Sequence, residues 1–162
     1  MFKSLKRTKV EKYIIDNKDS FYRIAYSYTK NEEDALDVVQ EAMYKALYSV
    51  ENIKEVNYIK TWFYKILVRT SIDFIRKNRK YNNMTDIDLI DETGEYDKYT
   101  DLDLRRALEE LPIEYKSIII LRFFEDLKIE EVAIILDENV NTVKTRLYTA
   151  LKKLKLKIEE YG

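Results

Sequence analysis

Asn141, Thr142, Lys144, Thr145, Tyr148 and Thr149, followed by Lys152, Lys153 and Lys155, stand on one side of the segment NTVKTRLYTALKKLK, residues 141–155. Val143, Leu147, Ala150, Leu151 and Leu154 recur on the other, at the three- and four-residue spacing of a helix that buries one face. The polar side combines amides and hydroxyls, which exchange hydrogen bonds with base edges, and ammonium groups, which neutralise phosphates. Arg146 adds a guanidinium to the same segment. A helix made only to be solvated usually alternates Glu with Lys at four-residue spacing. Here no acid stands between Glu138 and Glu159. A solvated basic face remains the competing reading of these residues taken alone.

Other chemistries are poorly supplied. The 162 residues contain no histidine and no cysteine, so no Ser-His or Cys-His couple, thiolate metal site or disulfide can form. Gly94 and Gly162 stand alone, which leaves neither a P-loop nor a dinucleotide fingerprint. The composition therefore points away from an enzyme, a cofactor and a small-molecule substrate. The longest purely apolar run, Val132 to Leu136, is too short to span a bilayer. The N-terminal MFKSLKRTKVEKYIIDNK is basic but lacks the apolar core of a secretion signal, so a cytoplasmic location is expected.

The elements that must position these residues are helices. Two glycines and one proline leave little material for hairpins, and 46% hydrophobic content supports a packed core. In the first half, FYRIAYSY places Phe21, Ile24, Ala25 and Tyr28 on one face. Asn31 precedes EED, an N-cap followed by acids that suit the positive end of a helix dipole. Ala35, Val38, Val39, Ala42, Met43, Ala46, Leu47 and Val50 then form an unbroken stripe. After the polar connection ENIKEVN, a third pattern runs from Tyr58 through Ile59, Trp62, Phe63, Ile66, Leu67, Thr70 and Phe74. In the second half, LRRALEEL is followed by Pro112, suited to a first helical turn, and by IEYKSIIILRFFE. IEEVAIIL, the break DEN and the basic segment capped by Asn139 then make a helix-turn-helix. In that setting the basic helix is a recognition helix for the major groove.

Charge is segregated along the chain. Lys60, Lys65, Arg69, Arg76, Lys77, Arg79 and Lys80 outweigh Asp73 within residues 60–81, a balance of +6. Residues 84–103 hold eight acids against Lys98, a balance of −7, and residues 138–157 hold six basic residues against Glu138, a balance of +5. The expected fold is therefore all-α, with two small helical domains at residues 1–82 and 102–162 and a flexible acidic linker at 83–101. The first basic block interleaves aromatics with cations in TWFYKILVRTSIDFIRKNRK. Tyr64, Lys65 and Tyr58 fall off its apolar stripe, and aromatic faces beside cations are how single-stranded bases are held. Core packing is the stronger competing reading of these aromatics.

YRIAYSYTKNEEDALDVVQEAMYKAL followed by YIKTWFYKILVRTSIDFIRK resembles region 2 of the sigma-70 family. LEELPIEYKSIIILRFF, IEEVAIIL and NTVKTRLYTALKKLK resemble region 4. With an acidic linker in place of a third domain, the chain resembles the extracytoplasmic-function subgroup from Phe21 to Lys157. The resemblance implies an alternative sigma factor that binds core RNA polymerase and directs promoter-specific initiation. Its implied partners are the β-prime clamp helices and β subunit of the polymerase, promoter DNA and a membrane-anchored anti-sigma factor. On the resemblance, Asp34, Asp37, Gln40 and Glu41 bind the polymerase; an acidic face with a capped start suits a basic partner. The opened −10 strand falls to Tyr58, Lys60, Trp62, Tyr64, Lys65, Arg69 and Arg76. The −35 duplex falls to Asn141, Thr142, Lys144, Thr145, Arg146, Tyr148, Thr149 and Lys152.

The sequence departs from the family pattern at several places. Asp137 stands where a turn glycine is common, and Asp tolerates the left-handed conformation better than most residues. Glu138 replaces a usual apolar residue, Val68 and Arg69 stand where Arg-Asn is frequent, and Thr149 where a basic residue is frequent. These changes bear on the promoter sequence. A helix-turn-helix regulator acting without polymerase is the alternative reading, and it leaves the acidic helix and the aromatic-basic helix unexplained. A helical protein-interaction module is a third, and it would show no salt-dependent affinity for DNA.

Overall fold

Residues 5–53, 58–82 and 99–161 are described in the computed structural model, and their regular structure is helical throughout. In chain order the helices are α1 (Leu5–Asp16), α2 (Lys18–Thr29), α3 (Glu32–Tyr48), α4 (Ile59–Asn82), α5 (Tyr99–Glu110), α6 (Ile113–Ile119), α7 (Ile129–Leu136) and α8 (Val140–Tyr161). Helices α1–α4 form one compact unit. A second contains α5, α6, α8 and α7 as far as Ala133. The all-α expectation holds. The predicted linker is shorter at its C-terminal end, because α5 already begins at Tyr99. Its remainder, 83–98, and residues 54–57 of the polar connection lie outside the described residues.

The first unit is built on the stripes read from the sequence. Phe21, Ile24, Ala25 and Tyr28 of α2 are buried together with Ala35, Val38, Val39, Ala42 and Ala46 of α3 and Phe63 and Leu67 of α4. Phe21 is the hub: its ring lies 4.5 Å from Phe63 and 5.8 Å from Tyr13. The Asn31 cap forms as expected, its Oδ1 accepting from the Asp34 N–H at 2.8 Å, with Glu32, Glu33 and Asp34 filling the first turn. Helix α1 was not expected. It buries only Val10 and Ile14, and its cations complete the attachment. Lys6 Nζ donates to the Ile53 carbonyl at 2.8 Å, and Arg7 Nη1 to the Leu47 carbonyl at 3.2 Å. Leu47 belongs to the last turn of α3, where carbonyls lack helical partners and cations are favoured.

In the second unit, α5 and α6 both pack on α8. Pro112 is the N-cap of α6, one position before the expected first turn, and its carbonyl accepts from the Tyr115 and Lys116 N–H groups at 3.0 Å. Helix α6 runs on into a π-helical turn over Ile120–Phe124, closed by the Glu125 N–H donating to the Ile120 carbonyl at 3.0 Å. Ala107, Leu108, Ile118, Ile119, Leu127, Val143, Ala150 and Leu154 are buried. The stripe on α8 is narrower than expected, for Leu151 is exposed. At the far end of α8, Glu110 of α5 accepts from Tyr161 Oη at 2.9 Å and pairs with Lys157 Nζ at 3.2 Å, while the Arg106 guanidinium lies 4.2 Å over the Tyr161 ring.

Candidate nucleic-acid interface

The turn between α7 and α8 shows how the sequence departures are accommodated. Asp137 takes φ 61°, the left-handed conformation that a glycine would adopt at lower cost. The Asp137 N–H reaches the Ile134 carbonyl at 3.2 Å, and the Glu138 N–H reaches the Ala133 carbonyl at 2.9 Å. This is a Schellman-type closure in which two late carbonyls of α7 find donors. Asn139 then caps α8, its Oδ1 accepting from the Thr142 N–H at 2.8 Å. A short helix, a closed three-residue turn and a capped long helix are therefore all in place.

At about 100° per residue, Asn141, Thr145, Tyr148 and Lys152 lie in one line along α8, within an arc of about 60°. All four are exposed, Tyr148 at 70%. Lys144 is exposed beside that line, and Thr142, Thr149 and Arg146 are half-buried. Arg146 is turned about 140° from Asn141. Its Nη1 meets Glu138 Oε2 at 3.2 Å, so this cation is shared with the turn.

Helix α4 divides its predicted residues. Tyr58 just before it, then Trp62, Lys65, Arg69 and Arg76, fall within about 60° of one another. Tyr58, Arg69 and Arg76 are exposed, and Trp62 and Lys65 half-buried. Lys60 is exposed but lies about 160° around the helix from Tyr58. Tyr64 does not join them. It is 7% exposed, and its ring meets Phe21 edge-on at 5.8 Å. The expectation that Tyr64 faces DNA is corrected: α4 packs against both α2 and α3, so its buried arc is wider than a single stripe.

On α3, Asp37, Gln40 and Glu41 are exposed as expected, and Glu41 pairs with Lys45 at 3.2 Å. Asp34 is half-buried, and burial, then Asp37 and Glu33, push its carboxyl above the usual range. A neighbouring cation would reverse that shift, which suits this turn to a basic partner.

The comparisons with known proteins match this arrangement region by region. The Sigma-70 region 2 family matches residues 14–81, and the family described as Sigma-70, region 4 matches residues 101–154. RNA polymerase sigma factor SigV of Bacillus subtilis (strain 168) is 58% identical over 146 residues, 90% of this chain and 88% of that protein. The ECF RNA polymerase sigma factor SigW of the same strain is 26% identical, covering 88% of this chain and 85% of its own. The chain belongs to the extracytoplasmic-function sigma factors of the sigma-70 family. It is an alternative sigma factor that directs transcription initiation, binding core RNA polymerase and promoter DNA. Its fold is also that of the sigma factor RpoE solved with the anti-sigma factor NepR from Bartonella quintana. The TM-score is 0.72 at 20% identity, over 92% of this chain and 96% of the other. CnrH in complex with the cytosolic domain of CnrY gives a TM-score of 0.71 at 18% identity, over 94% and 89%.

The structure of the sigma factor adds residues that the sequence reading missed. Leu36 is 59% exposed next to Asp37, and with Tyr22, Val39, Gln40 and Met43 it lines an open groove of about 560 Å³ between α2 and α3. The available signal was an apolar residue off the stripe: Leu36 stands between Ala35 and Asp37, out of phase with Val38, Val39 and Ala42.

Proposed function

We propose that the exposed faces of α3, α4 and α8 divide the work of initiation. The acidic face of α3, with Asp34, Asp37, Gln40 and Glu41 beside the Leu36 groove, receives the β-prime clamp helices of the polymerase. Opening the Glu41–Lys45 pair costs little, because exposed pairs at this spacing contribute only about 0.3–0.5 kcal/mol. The α4 face of Tyr58, Trp62, Lys65, Arg69 and Arg76 holds the opened −10 strand, by stacking on the aromatics and pairing of phosphates with the cations. The α8 line of Asn141, Thr145, Tyr148 and Lys152, with Lys144, Thr142 and Thr149 beside it, reads the −35 duplex.

The observation that carries this reading is the alignment on α8. Amide, hydroxyl and ammonium groups are exposed along one line while Val143, Ala150 and Leu154 are buried behind it. The two working domains are residues 1–82 and 99–162, with the acidic segment between them. Each domain carries only a modest excess of positive charge on its DNA-facing helix. The free chain therefore binds DNA weakly, and polymerase makes the second contact effectively intramolecular. The sigma factor acts in the cytoplasm under a membrane-anchored anti-sigma factor. Family membership supports that partner, as does the complex with the anti-sigma factor NepR in which the RpoE fold was solved. Among the described residues no helix is long and apolar enough to cross a membrane.

Run-off transcription with core enzyme on genomic DNA, followed by start-site mapping, tests the whole. Permanganate footprinting tests the division: Tyr58→Ala or Lys65→Ala removes reactive thymines near the start site and keeps upstream duplex protection. Full strand opening by the double variant would defeat the α4 assignment.

A further inference from the structure

Glu138 occupies the position after the left-handed residue of a Schellman turn. There an apolar side chain commonly packs back on the preceding helix. A carboxylate cannot make that contact. It reaches forward instead to the recognition helix, and Oε2 meets Arg146 Nη1 at 3.2 Å. The two side chains are 34% and 37% exposed, so the pair stands at the surface and contributes little to stability. What it does is place a side chain. Arginine has many rotamers and five donors in a rigid fork. An anchor on one nitrogen removes much of that freedom and leaves the other donors to be aimed.

The destination of the guanidinium is also visible. Arg146 lines a hollow of about 370 Å³ with Asn139, Asn141, Thr142 and Thr145, over the first turns of α8. Those turns are the part of a recognition helix that enters the major groove. Without the anchor, a guanidinium at this position would be a mobile charge able to take the nearest phosphate, a contact blind to sequence. With it, one nitrogen of the guanidinium is held by Glu138, and the side chain is kept beside the hollow.

We propose that Glu138 is a positioning residue for −35 recognition, acting through Arg146 to turn a general phosphate contact into a sequence-reading one. The inference rests on the assignment of α8 as the −35 reader.

The test uses the full chain with core polymerase and selects from a library randomised across the −35 element. Variants are Glu138→Ile, Arg146→Ala, their double, and Glu138→Gln, which keeps an acceptor without the charge. Glu138→Ile should lower preference by at least about fivefold at the same base positions that Arg146→Ala affects. The double variant should match Arg146→Ala alone, and Glu138→Gln should fall between Glu138→Ile and the parent. The salt dependence of Glu138→Ile should steepen by about one phosphate's worth, because the freed guanidinium now neutralises one.

An unchanged −35 preference in Glu138→Ile, or additive losses in the double variant, would overturn the proposal. So would a uniform loss over all sequences accompanied by lower thermal stability, which would make Glu138 merely structural. Lys144→Ala in the same selection separates the underlying assignment. If it too leaves the motif unchanged, α8 is not the reader. If it shifts the motif while Glu138→Ile does not, only the role of Glu138 fails.

Discussion

Helices α4 and α8 look alike as strings of letters and differ as objects. Both are long, basic and amphipathic, and both mix aromatic side chains with cations. Helix α8 lies against α5 and α6, and its tyrosine at 148 is left in solvent. Helix α4 is wedged against α2 and α3, and the same residue type at 64 becomes part of the core. Each helix has two partners, so the placement of those partners around its axis, rather than its own periodicity, decides how wide its buried arc is. An aromatic residue next to a cation is thus a nucleic-acid signal only after the neighbours have been placed around the helix.

The largest expected effect tests this contrast directly. Tyr64→Ala should destabilise the chain by about 3 kcal/mol, since it removes a ring packed on Phe21, while Tyr148→Ala should stay within about 0.5 kcal/mol. Chemical denaturation of both variants reads the difference, and equal shifts would erase the distinction between the two tyrosines. Next in size is the division within α8. Lys144→Ala or Thr145→Ala should cost about 1–3 kcal/mol at particular base positions. Lys152→Ala should weaken all sequences alike and reduce the salt slope by about one. A Lys152 variant with an altered motif would show that the far turns of α8 also read bases.

A third prediction sets the basic faces against the acidic one. Asp37→Lys combined with Gln40→Ala should weaken association with core polymerase by roughly tenfold while leaving the circular dichroism spectrum unchanged. Undiminished binding in a pull-down titration would move the polymerase contact off α3. The smallest effect concerns how the two helices are anchored, α4 by rings and α8 by charges. The Glu110 carboxyl is held below its ordinary range, first by the hydrogen bond from Tyr161 and then by Lys157. A carboxyl depressed by folding contributes stability above its unfolded pKa and loses it as pH falls through the folded value. Glu110→Gln should therefore lower the melting temperature slightly at neutral pH, with the gap closing in acid. A gap that is the same at every pH would assign Glu110 a packing role only.

The features legible in advance are those set by short-range interactions. The caps at Asn31 and Asn139 and the left-handed turn at Asp137 are decided within four residues, and all three are present where the sequence places them. Helix α1 is not legible in advance because its buried face is two residues, and the bonds that attach it run to carbonyls 40 and 47 residues away. The start of α5 at Tyr99 was hidden by the acids around it, which resemble a linker until Ala107 and Leu108 find their core. On α4 and α8, residue chemistry was legible and partners were not. Arg146 reads as a free cation until Glu138 is seen beside it, and Tyr64 as a stacking platform until Phe21 is.

The π-helical turn at Ile120–Phe124 carries a consequence for insertions and deletions. A π turn closes one residue later than an α turn, so it behaves as a single-residue insertion absorbed by the helix. Removing one residue there would restore ordinary winding and leave the helical faces on either side of the turn in phase, whereas removing one from an ordinary α-helical turn rotates what precedes it by about 100°. In the second case the buried residues of α6 would miss the surface of α8 on which they pack. A single-codon deletion at 120–124 should thus be tolerated better than one within 113–119, although neither removes a residue assigned to DNA.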